Sequence, residues 1–207
     1  MNGLLIIGAG GHGRVIADVA SGIGSWGRIA FLDDRVDDIG AGCSWPVLGK
    51  CESFASVAGE FDAVIVGFGD NALRLDWADR VIGQGLELAT IISPGANVSE
   101  NARVGAGTVV MPGAVVNIGA STGRCAIINT GATLDHDCHL EDAVHLAPGA
   151  HLGGGVRVGA RTWIGIGAAV RHGVSIGDDV IVGVGAAVHA DLPDGCTAVG
   201  VPARPME

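Results

Sequence analysis

Lysine and aromatic side chains are nearly missing from this chain. Of its 207 residues one is lysine, Lys50, none is tyrosine, and aromatics make up 4%. The formal net charge is −10. So acidic a chain offers no basic stripe to a phosphate backbone, which argues against nucleic acid as a partner. An anionic ligand would have to be held by local groups: backbone amides, helix N-termini and single arginines. No run of 18 apolar residues occurs, so no transmembrane helix and no membrane insertion is expected. Met1-Asn2-Gly3 lacks a basic n-region, so no signal peptide is expected. The cysteines, Cys43, Cys51, Cys125, Cys138 and Cys196, are odd in number and form no CxxC pair. A reducing cytoplasm is the expected setting.

What the chain has in abundance is glycine, 36 residues, and a period. Every sixth residue from Ile92 to Val188 is aliphatic except Thr122, over 17 positions in one phase. The following position is often glycine (Gly105, Gly123, Gly153, Gly159, Gly165, Gly177, Gly183). Two residues before each aliphatic position the side chain is usually small, as at Ala96, Thr108, Ala132, Cys138 and Ala168. No helix has period six and a plain strand alternates by two. A six-residue period marks a parallel β-helix, in which each hexapeptide gives one short strand and one corner. The aliphatic residue points into a thin core, the small one fits near a corner, and the glycine is expected to let the backbone turn at positive φ. The pattern resembles the left-handed β-helix of acyltransferases, where three hexapeptides close one 18-residue coil; almost six coils are expected here.

Ahead of the repeat lies a different grammar. Leu4 to Ile7 is a strand-type run, then comes Gly8-Ala9-Gly10-Gly11-His12-Gly13, then Val15, Ile16, Val19, Ala20 and Ile23 at helical spacing. Strand, glycine loop and helix are the context of a GxGxxG fingerprint. A second strand, Ile29 to Leu32, ends in Asp33-Asp34, about 20 residues past the loop. A third, Ala63 to Val66, leads through Gly67-Phe68-Gly69-Asp70-Asn71 to a helix carrying Leu75, Ala78 and Ile82, and Leu88 to Ile92 enters the repeat. The fold class expected is mixed: a small Rossmann-like βαβαβ domain over residues 1–85, then a left-handed parallel β-helix over 86–207 with a short C-terminal tail. Ser93-Pro94-Gly95 marks the junction. The glycine loop suits either NAD or a nucleotide-sugar whose phosphates face the helix N-terminus, or is a tight turn without a ligand. No hydride-transfer machinery accompanies it, which favours the nucleotide-sugar.

Within the repeat, Asn129-Thr130-Gly131-Ala132-Thr133-Leu134-Asp135-His136-Asp137-Cys138 replaces glycine-rich consensus with polar chemistry. His136 falls two residues after the inward Leu134, near a corner and pointing out of the core. Asp137 beside it can orient the imidazole and raise its basicity, the arrangement of a general base with its orienting acid. Cys138 occupies a small inward position and reads as core.

These residues carry a resemblance. Asn129…His136-Asp137, the opening Gly8 to Gly13, Phe31-Leu32-Asp33-Asp34, Pro46-Val47-Leu48-Gly49, Gly69-Asp70-Asn71 with Arg74, and the closing Gly200-Val201-Pro202-Ala203-Arg204 are together similar to one family over nearly the whole chain. It is the bacterial sugar acetyltransferases, which include the bacillosamine- and perosamine-pathway N-acetyltransferases and the sialic acid O-acetyltransferases. The resemblance implies His136 as general base and Asp137 as its acid, where many relatives have glutamate. It implies Asn129 and His145 as site-lining residues, with His145 near the acetyl-CoA thioester. It implies Gly154, Ile166 and Val184 along the pantetheine arm of acetyl-CoA, which serves as co-substrate. Gly10, Gly11, His12, Asp33, Asp34 and Gly69 would hold the nucleotide part of the acceptor. A homotrimer with each site between two subunits is implied as well.

The activity expected is acetyl transfer from acetyl-CoA to an amino group of a nucleotide-activated sugar in bacterial glycan biosynthesis; the alternative is O-acetylation of sialic acid or another sugar hydroxyl. A zinc hydratase resembling the trimeric carbonic anhydrases of this solenoid would use His136 and His172, two coils apart, but needs a further histidine where Gly177 stands. No metal is expected. His139, His145 and His151 share a repeat position yet fall on successive faces, so they form no ready triad.

Overall fold

The structure is a computed structural model that describes residues 2–39 and 43–206; Met1 and Glu207, the outer limits of the two expected domains, lie outside the described residues. The chain divides into two compact units, Met1–Pro94 and Gly95–Glu207. The divide falls within Ser93-Pro94-Gly95.

The first unit is built on a parallel sheet of order β2-β1-β3, with β1 (Asn2–Ile7) between β2 (Trp26–Leu32) and β3 (Ala63–Val66). Parallel neighbours need a crossover, and helix α1 (Gly11–Ile23) provides the one from β1 to β2. Leu4, Leu5, Ile6 and Ile7 are fully buried, as a central parallel strand covered on both faces requires. Two short helices, α2 (Val36–Ile39) and α3 (Phe54–Val57), precede β3. Pro46 to Leu48 runs along the outer edge of β2: Phe31 N–H donates to the Pro46 carbonyl (2.9 Å), and the Phe31 carbonyl accepts from Leu48 N–H (2.8 Å).

Helix α4 (Asn71–Gly83) starts at Asp70, whose Oδ1 accepts from Leu73 N–H at 2.8 Å. Its buried face is Arg74, Trp77, Ala78 and Val81, rotated from the Leu75–Ala78–Ile82 face expected from sequence; Ile82 is exposed. The Trp77 ring, edge-on to Phe54 at 5.9 Å, buries more apolar area than Ile82 would, and the Arg74 guanidinium has polar partners inside. Leu88 likewise differs from expectation. It bridges Val64 and so extends the first unit's sheet instead of opening the repeat.

The second unit is a left-handed parallel β-helix of about six turns. Each hexapeptide contributes a two-residue strand, save the one at Arg103–Val104, which makes a single bridge to Ser121, and the strands stack into three walls. One wall runs from Asn97–Val98 through Thr133–Leu134 and His151–Leu152 to Ala187–Val188. The second holds Ser121–Thr122, His139–Leu140, Arg157–Val158 and Ser175–Ile176. The third includes Ile127–Ile128, His145–Leu146, Trp163–Ile164 and Ile181–Val182, then Thr197–Val199 and the antiparallel Arg204–Pro205. The second residue of each strand points inward: Val116, Leu134, Leu140, Leu146, Leu152 and their equivalents form one continuous core. Where the small inward residue is threonine, its hydroxyl is satisfied: Thr162 Oγ1 donates to the Gly177 carbonyl (2.8 Å) and accepts from Val180 N–H (2.9 Å).

The reason for the glycines differs from the one inferred above. Positive φ does not occur directly after the aliphatic residue but at the third position after it, at Gly113, Gly119, Gly131, Gly149, Gly155, Gly167, Gly173 and Gly185, and also at Cys125, Asp137, Ala143, Arg161 and Asp179. The glycines directly after the aliphatic residue answer to space. A β-carbon on Gly153 would come 2.8 Å from the His172 nitrogen one coil on, and one on Gly177 would come 2.6 Å from the Asp194 nitrogen. Sequence shows that a small residue is demanded, but not whether conformation or clearance demands it.

Candidate active site

His136 and Asp137 occupy a corner after the strand Thr133–Leu134. Both side chains reach solvent, with 58% and 74% of their surface exposed, and His136 Nδ1 lies 2.9 Å from Asp137 Oδ2. An ionised carboxylate only accepts, so Nδ1 carries the hydrogen and Nε2 is left with its lone pair outward. The Asp137 hydrogen bond is the main influence raising the His136 pKa above its ordinary value; desolvation opposes it, and the charges of Asp135 and Asp137 add smaller contributions. Asp137 holds a left-handed conformation (φ 58°) that its short polar side chain tolerates.

Gly154 stands one coil further along against the same imidazole. A β-carbon there would overlap His136 Nε2. Its carbonyl accepts from Gly173 N–H at 3.0 Å, while its own N–H has no acceptor among the described residues. The ring therefore packs against bare backbone beside an amide available to an incoming oxygen. Ile166 and Val184 sit one coil apart on a different corner, 51% and 68% exposed.

Asn129 and His145 form a second polar pair, with Asn129 Nδ2 3.2 Å from His145 Nε2. His145 packs edge-on to Trp163, ring centroids 6.4 Å apart. Asn129 follows the strand Ile127–Ile128 and His136 follows Thr133–Leu134, so the two pairs belong to different corners of the coil. His139, His145 and His151 lie in three different walls and do not converge. Among the described residues no group of three or more His, Cys, Asp or Glu is placed to hold a metal ion. Cys138 is fully buried, its thiol donating to the Gly153 carbonyl at 3.2 Å.

In the first unit Gly10 caps α1 and Gly11 begins it. A β-carbon on Gly13 would overlap the Gly8 carbonyl, so strand, loop and helix meet at van der Waals contact. By contrast, nothing stands within 4 Å of where β-carbons on Gly11 or Gly69 would go. Gly11 borders an open groove of about 410 Å³, lined also by Arg14, Val15, Asp18, Ser44 and Trp45. Asp33 is buried; its Oδ2 accepts from Ala9 N–H (2.8 Å) and its Oδ1 from Arg35 N–H (2.9 Å). Asp34 Oδ1 accepts from Cys51 N–H at 2.9 Å. The two carboxylates thus tie the glycine loop and the Cys51 turn to the end of β2. Arg74, 1% exposed, donates to the carbonyls of Phe68 (3.1 Å) and Gly69 (3.3 Å) and to Asn71 Oδ1 (2.8 Å), shaping the loop that carries Gly69. His12 is held neutral: its pKa is lowered to about 4, first by burial and then by the Arg74 guanidinium. The sequence names Arg74 only as part of the Gly69-Asp70-Asn71 motif, without a role, and gives Arg35 and Trp163 no signal beyond a lone cation near a loop and a residue of the repeat.

Comparison with known proteins agrees with this architecture. Residues 3–81 match the family described as the PglD N-terminal domain. Among solved structures, the acetyltransferase domain of PglB from Neisseria gonorrhoeae FA1090 is 41% identical, with all of both chains covered and a TM-score of 0.96; it has also been solved with acetyl coenzyme A. PerB from Caulobacter crescentus, in complex with CoA and GDP-perosamine, is 39% identical over 100% of this chain and 98% of its own, with a TM-score of 0.92. WeeI from Acinetobacter baumannii AYE is 25% identical, over 98% of this chain and 99% of its own, with a TM-score of 0.88. No curated protein sequence matches the chain. The chain belongs to the family of sugar acetyltransferases that these structures represent.

Proposed function

We propose that this protein transfers the acetyl group of acetyl-CoA to the amino group of a nucleotide-linked amino sugar, in bacterial glycan biosynthesis. The observation that carries the reading is His136, with Nδ1 on Asp137 and Nε2 free beside Gly154, in a chain that matches N-acetyltransferases from end to end. His136 Nε2 takes a proton from the amine as the amine attacks the thioester carbonyl. The Gly154 N–H meets the developing oxyanion. Collapse expels the CoA thiolate, and the imidazolium returns its proton to it. Both substrates meet in one cleft, so no acyl-enzyme is formed.

The other assignments complete the site. Asn129 and His145 line it, and Ile166 and Val184 flank the pantetheine arm. Residues 1–85 serve as the nucleotide-binding domain and 86–207 as the acetyltransferase domain. Gly10, Gly11, His12 and Gly69 face the nucleotide, with Asp33 and Asp34 at the same loops. The open approach at Gly11 and Gly69 supports this. The protein works as a homotrimer, which brings the His136 corner of one subunit toward the apolar corner of a neighbour. It works in the cytoplasm, a reading supported by five cysteines without a disulfide. The deciding experiment is thiol release from acetyl-CoA against a panel of nucleotide amino sugars and their hydroxyl analogues. Turnover with an amino sugar and none with its hydroxyl analogue is expected; turnover with no member of the panel overturns the proposal.

A further inference from the structure

The second wall of the solenoid carries a chain of hydrogen bonds that acetyl transfer at His136 does not use. The outward column there runs Arg103, Ser121, His139, Arg157, one residue per coil. Ser121 Oγ lies 2.8 Å from His139 Nδ1, and His139 Nε2 lies 3.0 Å from Glu141 Oε1. An ionised carboxylate only accepts, so Nε2 carries the ring's hydrogen. Nδ1 then presents its lone pair, and the Ser121 hydroxyl donates to it. Hydroxyl, imidazole and carboxylate follow one another on a single face, and none of the three residues is buried.

Glu141 breaks the rule of its own column. Its counterparts in the coils before and after are Gly105, Gly123, Gly159 and Gly177, and a β-carbon on any of these would collide with main chain one coil on. Of these five positions only 141 carries a side chain, and that side chain is spent on His139. Satisfying an outward histidine does not require it. On the first wall Thr133 Oγ1 lies 3.0 Å from His151 Nδ1, the residue two places after His151 is Gly153, and no carboxylate bonds His151 Nε2 among the described residues.

We propose that Ser121, His139 and Glu141 form a second, hydrolytic site, with Ser121 as nucleophile toward short-chain carboxylic esters. Ser121 Oγ attacks the ester carbonyl as His139 Nδ1 takes its proton, and Glu141 stabilises the imidazolium that results. Arg103, bridged to Ser121 from the preceding coil, is the cation at hand for the developing oxyanion. The ester C–O bond breaks, and the alkoxide leaves with the proton from Nδ1. Water then attacks the acyl-serine in the same way, which releases the carboxylic acid and restores the hydroxyl. Gly105 and Gly123 leave bare backbone beside Ser121, a shallow bed that suits a small acyl group.

A fluorophosphonate probe and p-nitrophenyl acetate, both used on the full chain, test this. Peptide mapping should find the probe on Ser121. Ser121→Ala should lose the label and hydrolyse the ester no faster than buffer, while keeping acetyl transfer from acetyl-CoA. His139→Ala should slow labelling and hydrolysis by ~10²-fold or more, the usual cost of losing a general base. Glu141→Gly restores the residue of its column, so it should melt close to wild type, yet labelling should fall ~10²-fold because nothing then fixes the tautomer. A chain that served the fold alone would give no such split between melting and labelling. If His139→Ala fails to fold, Glu141→Gly decides. An unlabelled Ser121 in the wild type, ester hydrolysis undiminished in Ser121→Ala, or wild-type labelling in Glu141→Gly overturns the proposal.

Discussion

Gly154 and His136, 18 positions apart in the chain, touch face to face: the imidazole lies where the β-carbon of any other residue at 154 would be. The backbone at Gly154 does not have positive φ, so its glycine is required by the ring and not by the turn. Gly154→Ala should therefore fold and melt close to wild type while pushing the imidazole aside. A fall in kcat of ~10²-fold is expected from a displacement of this kind. Steady-state kinetics beside a thermal melt test it, and undiminished kcat would show that the ring's seat is immaterial.

His136→Ala removes the base from an exposed position and leaves the core intact. kcat should drop by ~10²–10⁴-fold, the usual cost of losing a general base. His172→Ala, one coil beyond Gly154, should stay close to wild type. Circular dichroism of both variants guards against misfolding, and a folded His136→Ala enzyme with normal turnover refutes the mechanism.

Asp137 sits at a position whose counterparts one coil before and after, Gly119 and Gly155, are glycine at positive φ. Asp137→Gly should release backbone strain, stabilising the fold by about 1 kcal/mol, while losing turnover. Asp137→Asn should lower kcat less than His136→Ala does. The His136 pKa is raised chiefly by the Asp137 hydrogen bond, and activity needs the neutral ring. Without the carboxylate the ring loses its proton at lower pH, so the acid limb of the pH–rate profile moves toward acid. A limb that stays in place contradicts the pairing.

His12 supplies a stability test. Its folded pKa of about 4 lies below the ordinary value of 6.5, so the unfolded chain takes up the proton first as pH falls. The contribution is intact above pH ~6.5 and is lost progressively down to about 4, by about 3 kcal/mol in all. Urea unfolding at pH 7 and pH 4 should show a smaller loss in His12→Gln than in the wild type. Equal losses would mean the ring is not held neutral.

Gly11 has room for a side chain, so Gly11→Val should fold normally. It should raise the acceptor KM and leave acetyl-CoA binding alone, because the added methyl groups occupy the approach to the α1 N-terminus. An unchanged acceptor KM removes the first unit from acceptor binding. Light scattering on the same samples should give three times the 20.7 kDa chain mass; a monomer at micromolar concentration overturns the trimer.

The solenoid was legible because its core is one side chain deep, so Val116, Leu134 and Leu152 face the same steric demand in successive coils and repeat it in the sequence. The His136–Asp137 pair was legible as a polar interruption of that repeat. Arg74 was not: a periodicity argument counts an arginine as an outward residue, yet its guanidinium is used up by the carbonyls around Phe68 and Gly69, and this turned the α4 face away from Leu75 and Ile82. The role of Gly153 and Gly177 was misjudged because clearance to the next coil is a long-range fact. Asn117 and Asp135 were within reach of the sequence, being polar and one coil apart.

Strand partners in successive coils lie 18 apart, as Thr133 with Val115 before it and His151 after it, until the last coil, where Ile181 pairs with Thr197 across 16. Such a stack can gain or lose whole storeys without rotating any surviving side chain. A cut of six residues, by contrast, would carry every later side chain from one wall to the next. Insertions and deletions of 18 beyond Gly173 should therefore be the ones this architecture tolerates, so the protein's length can drift by storeys while His136 keeps its address.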